Sequence, residues 1–143
     1  MAIEVAWSKD MPREVRAVAE PLVEDALRYL PSWVQHLSVR YGIGEGEDGV
    51  VAVVEAEYPY RQVKVRLTPH FLTDSPRNRK RAIVHEFMHS PIAPIRAWVI
   101  RTLQTLTEED DALRQSLFNE YHDLEEGAVQ DLTFAILPPR GAK

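Results

Sequence analysis

His85-Glu86-Phe87-Met88-His89 reads H-E-x-x-H, and its chemistry depends on lying in a helix. At about 100° per residue, positions four apart nearly coincide on one face, so the two imidazoles are placed to share one metal ion. Glu86 sits beside that pair, near enough to orient a water without being a ligand. Ile83, Val84, Phe87 and Met88 fill the opposite side. Apolar behind and ligating in front is the division that a cleft-lining helix packed on a core requires. Average amino-acid usage would produce the motif by chance in a chain this long only roughly a few times per thousand.

The flanks fix the extent of this helix. Asp74-Ser75-Pro76 is a start signal: Ser75 can cap, and Pro76 suits the first helical position. Ser90-Pro91 is the expected end, and Pro94 opens another helix with a stripe of Ile95, Trp98, Val99, Thr102, Leu103 and Leu106. Thr105 and Thr107 are candidate caps ahead of the acidic Glu108 to Asp111, from which a long helix is expected to run to Leu137 and stop at Pro138-Pro139.

Upstream, Ala2 to Trp7 alternates in a short extended piece, and Pro12 opens an amphipathic helix bearing Val15, Val18, Ala19, Leu22, Ala26 and Leu30. Pro21 is expected to kink or split it. Three strands follow. Trp33 to Tyr41 alternates; the glycine-rich stretch 42–49 reads as a long hairpin connection; Val50 to Glu57 is apolar enough for a central strand; Val63, Val65 and Leu67 then alternate with Gln62, Lys64 and Arg66. Those glycines lack the Lys-Ser/Thr and following helix of a phosphate-cradling loop. The order of elements predicts an α+β domain spanning residues 1–143, with a small three- to four-stranded sheet, antiparallel or mixed.

With 143 residues, 45% hydrophobic and 27% charged, the chain has the size and composition of one ordinary soluble domain. No apolar run approaches a membrane span, no secretory h-region is visible, and cysteine is absent, so the expected location is cytoplasmic. A net charge of −5 argues against wholesale coating of nucleic acid but permits a local basic patch. Arg77, Arg79, Lys80 and Arg81 form one such run in the first turns of the motif helix, where the macrodipole disfavours cations.

Two imidazoles do not complete a catalytic zinc site, which takes three protein ligands and leaves a position for water. The third histidine of H-E-x-x-H-x-x-G-x-x-H is missing, since positions 92 and 95 are isoleucine. A carboxylate from the last helix remains, and Leu124-Glu125-Glu126-Gly127-Ala128 supplies two. If Tyr121, Ala128, Val129, Leu132, Ala135 and Ile136 set the inward face, Glu125 lies near its middle and Glu126 well off it. A carboxylate on an apolar face needs a neutralising partner, and a metal is one. Glu125 is therefore favoured, with Glu126 open because Gly127 can reset the helical phase.

H-E-x-x-H followed by a glutamate on a second helix resembles the gluzincin clan of zinc metallopeptidases, particularly its minimal single-domain, minigluzincin-like members. Glu125-x-x-Ala128 is similar to the E-x-x-A second motif of several branches, and Ala135-Ile136-Leu137-Pro138 is similar to the ending of small bacterial and phage-associated peptidases of that type. The resemblance runs from about Arg61 to Pro138. It implies a zincin-like fold, one Zn2+ ion held by His85, His89 and Glu125, and hydrolysis of peptide bonds in a peptide or protein substrate. Branches with a Glu-Gly pair point instead to Glu126-Gly127.

On that reading zinc activates a water, and Glu86 takes the water's proton and passes it to the leaving amine. Tyr121 and His122 are the candidate oxyanion donors. The strand from Arg61 to Leu67 is expected to form the cleft's upper rim, with Lys64 and Arg66 facing substrate. Two rival expectations stand beside the peptidase: a non-catalytic zinc-binding interaction module on the same scaffold, and a nucleic-acid-associated regulator using Arg77 to Arg81.

Overall fold

Alternating side chains build the sheet. The computed structural model describes residues 2–44, 48–106 and 110–139. Strands β1 (Glu4–Trp7), β2 (His36–Tyr41), β3 (Ala52–Glu57) and β4 (Gln62–Leu67) form one mixed sheet in the order β1-β2-β4-β3. β1, β2 and β4 are parallel neighbours, and β3 runs antiparallel to β4. Registers Leu37↔Val63↔Ala56 and Val39↔Val65↔Val54 put one set of apolar side chains on a single face. Leu37, Val39, Val63, Val65 and Leu67 are fully buried there, packed around Phe71, Ile83 and Phe87.

Helix α1 (Arg13–Ala26) crosses between β1 and β2 and buries the stripe Val15, Ala19, Val23 and Ala26. It is not split. Pro21 lies on its exposed side, and the carbonyl it leaves unserved, at Ala17, is also on an exposed residue that water can reach. A short helix α2 (His70–Thr73) follows β4, with His70 Nε2 accepting the Gly49 amide at 3.3 Å.

Helix α3 (Pro76–Leu106) carries the motif. Its start is the expected one: Ser75 Oγ accepts the Asn78 amide at 3.2 Å. Its end is not. The helix continues through Pro91 and Pro94 and packs against β3 and against α4 (Asp111–Ile136). α4 is capped by Asp110, whose side chain accepts the Leu113 amide at 2.8 Å. Thr105 instead belongs to the last turn of α3, giving its hydroxyl to the Arg101 carbonyl, and Thr107 lies outside the described residues. α4 returns antiparallel along α3, so that Phe118 meets Arg96 and Phe134 meets Arg81.

Two strand assignments exchange places. β4, expected at the rim, is internal, and β3, expected to be central, is the edge. The 42–51 connection therefore joins strands that are not neighbours and is no hairpin. β3 is apolar because Ala52, Val54 and Ala56 face α3 across the groove. Lys64 consequently does not face the groove; it pairs with Glu57 at 2.7 Å and Glu55 at 3.9 Å.

Candidate metal centre

His85 and His89 lie one turn apart on the face of α3 turned toward α4, their rings 5.2 Å apart and nearly perpendicular. Two of their nitrogens face one carboxylate. Glu126 Oε2 is 3.4 Å from His85 Nε2, and Glu126 Oε1 is 3.3 Å from His89 Nε2. Among the described residues, His85, His89 and Glu126 are one group of three whose ligand atoms all lie within 4.8 Å of one another. Tetrahedral coordination at about 2.0–2.1 Å places neighbouring ligand atoms about 3.3 Å apart. Glu126 meets the two imidazoles through different oxygens, and this N, N, O set could hold a metal ion.

Glu125 takes the position behind it. Its Oε1 lies 3.1 Å from His89 Nδ1 and 3.5 Å from Arg96 Nη1, and its side chain is only 1% exposed against 41% for Glu126. Since an ionised carboxylate only accepts, the Nδ1–H of His89 donates to it. That bond fixes the tautomer and leaves Nε2 free toward Glu126. The stripe Glu125, Val129, Thr133 is what α4 buries, whereas Ala128, Leu132 and Ala135 are exposed. So Glu125 is inward as expected, although three of the six residues expected to set that face are exposed, and the inward carboxylate bonds an imidazole. The carboxylate beside both Nε2 atoms is Glu126, on the flank of the stripe.

The electrostatics follow from crowding. Burial raises Glu125, but the hydrogen bond from His89 and the charge of Arg96 outweigh it and hold the carboxyl below its usual range. Burial lowers His89, yet the bond to Glu125 and the charges of Glu86 and Glu126 carry it above the usual range. Burial and the neighbouring His89 charge lower His85. Burial, with Glu126 nearby, pushes Glu86 up to about 7 against the opposing pull of His89 and the Val54 backbone amide. Val54 is on β3, so Glu86 lies between the metal group and the edge strand. Three carboxylates converge on a half-buried groove with Arg96 as a fixed cation, a charge excess that a divalent ion would balance. Glu125 Oε2 is buried without a hydrogen-bond partner among the described residues.

Tyr121 faces Glu125 rather than the two Nε2 atoms, and burial together with that carboxylate pushes its phenol up to about 12. His122 is exposed. The basic run is largely engaged internally: Lys80 meets Asp25 at 2.8 Å, Arg79 donates to the carbonyls of Asp74 and Leu72, Arg77 donates to that of Pro138, and Arg81 stacks 5.4 Å over Phe134. Arg96 is the residue that sequence reading misses. It shares a helical turn with Ile92 and Pro94, and its partner lies on another helix with no signal in spacing. Set against family models, curated proteins and solved structures, the chain matches none.

Proposed function

We propose that this chain is a zinc-dependent metallopeptidase of gluzincin type, with His85, His89 and Glu126 holding the ion. The observation that carries the reading is the Glu126 carboxylate spanning two Nε2 atoms at 3.3 and 3.4 Å while Glu125 holds His89 from behind. Zinc bound there supplies Lewis acidity, making water nucleophilic near neutral pH and polarising a scissile carbonyl.

The chain's own groups do the rest. Glu86, titrating at about 7, is matched to neutral pH as a base that accepts the proton of the attacking water and an acid that delivers it to the leaving amine. The Val54 amide anchors that carboxyl to β3. β3 is an edge strand, and an extended peptide pairing with its free side would lie along the groove past Glu86. Glu125 and Arg96 act through His89, setting its orientation and basicity.

Metal analysis of the purified protein with a peptide-library cleavage assay, run beside Glu86→Ala, tests this. The expected result is one zinc per chain in both proteins and cleavage by the unmodified protein alone. Zinc with no cleavage by either would favour the non-catalytic module.

A further inference from the structure

A cavity of about 400 Å³ opens beside His85 and Glu86, on the N-terminal side of the metal group along α3. Val50 and Val51, leading into β3, and Ala52 at its start form one wall, Ala82 of α3 lies opposite, and Asn78, Arg81 and Gln130 give it a polar end. The apart-standing feature is Arg81. Its Nε is buried with no hydrogen-bond partner, and its guanidinium, stacked on Phe134, makes no ion pair among the described residues. Its neighbours Arg77, Arg79 and Lys80 all have oxygen partners within the chain. So does Arg96, which lines a smaller hollow beyond His89 but is neutralised by Glu125. A partly buried cation without an anion is costly, and a guanidinium's fork matches a carboxylate's two oxygens.

Resting on the peptidase reading, we propose that this cavity is a substrate subsite for an acidic side chain, aspartate or glutamate, next to the scissile bond, with Arg81 as the specificity determinant. Among the described residues Glu86 is the one acid lining the cavity, and it lies at the end shared with His85. An acidic side chain reaching Arg81 therefore places its own backbone beside the residues that would perform hydrolysis. The apolar wall of Val50, Val51 and Ala52 accommodates the methylenes, and Gln130 and Asn78 supply further donors.

The test separates binding from turnover. Zinc-loaded Glu86→Gln protein is titrated by fluorescence anisotropy with acetylated, amidated pentapeptides that differ only in one Glu or Gln. A third peptide lacks acids but keeps a free C-terminal carboxylate. The Glu peptide should bind roughly tenfold tighter or more than its Gln partner, with that ratio collapsing toward one in Glu86→Gln/Arg81→Met and partly retained in Glu86→Gln/Arg81→Lys. Thermal melts of these variants establish that they are folded. An unchanged Glu:Gln ratio in Arg81→Met overturns the proposal, as does an Arg81-dependent preference for the free C-terminus alone. The unmodified protein should cleave library peptides with an acid enriched at one position flanking the cut. Cleavage without acid preference sinks the subsite and leaves the peptidase standing; Arg81-dependent Glu binding without cleavage does the reverse.

Discussion

Replacing Glu86 with glutamine should stabilise the metal-free protein while removing its activity. Glu86 titrates at about 7 instead of 4.5, and at about 1.4 kcal/mol per tenfold change in proton affinity its ionised form costs the fold about 3 kcal/mol. The sign follows from proton counting. Between about pH 4.5 and 7 the folded chain keeps a proton that the unfolded chain has lost, so stability falls as pH rises through that window and levels off above it. Glutamine, nearly the same shape and never charged, does not take part. The Glu86→Gln advantage should be near zero at about pH 4 and approach 3 kcal/mol at about pH 8. For a chain of this length that is roughly 10 °C in Tm. Calorimetric melts in chelator across this range measure it directly. A Tm gap that does not grow with pH, or a variant less stable at about pH 8, refutes the reasoning. Saturating zinc should narrow the gap, because a nearby cation stabilises the ionised carboxylate.

The two adjacent glutamates should separate by role. Glu126→Ala should reduce zinc affinity far more than Glu125→Ala, whose loss should fall near the roughly 10- to 100-fold typical of a residue that orients a ligand; competition with a chromophoric chelator ranks them, and the reverse order would exchange their roles. Glu125→Ala should in addition lower the melting temperature of the metal-free protein, since it leaves His89 and Arg96 without their shared acceptor. Because neighbouring carboxylates hold His89 above its ordinary range, zinc binding near neutral pH should release about one proton, and affinity should fall as pH drops. Calorimetric titrations in two buffers of different ionisation enthalpy read that proton, and finding none released contradicts the assignment. Pro91 is exposed inside a continuous helix, so Pro91→Ala should restore a backbone bond to Phe87 and raise stability by about 1 kcal/mol or more; an unchanged or lower Tm would mean the proline fits the helix without cost.

What the sequence conveyed was local, and what it withheld was partnership. The four-residue spacing of His85 and His89 fixes their common face whatever surrounds them, and Ser75-Pro76 announces the start of α3 through capping chemistry alone. The choice between Glu125 and Glu126 is different in kind. Burial points to Glu125, yet the carboxylate beside both Nε2 atoms is the half-exposed Glu126; on the proposed reading this is what a site open to water and substrate requires, with the buried Glu125 holding His89 from behind. The exchange of β3 and β4 has a similar origin. Val50 to Glu57 is apolar because a helix covers one side of it, a fact that depends on α3 and not on the strand. Nor does local propensity reveal that α3 survives Pro91 and Pro94, since its contacts with β3 and α4 are tertiary and carry no signal in the local sequence. Arg81 and Arg96 look alike in the sequence, and only the carboxylate against Arg96 distinguishes them.

A crystal grown with zinc and measured at its absorption edge puts the question to the molecule itself. The anomalous peak should lie about 2.0–2.1 Å from Nε2 of His85, Nε2 of His89 and an oxygen of Glu126, with Glu125 still bonded to Nδ1 of His89. A peak coordinated by Glu125, or no ordered ion between the two imidazoles at saturating zinc, would contradict it.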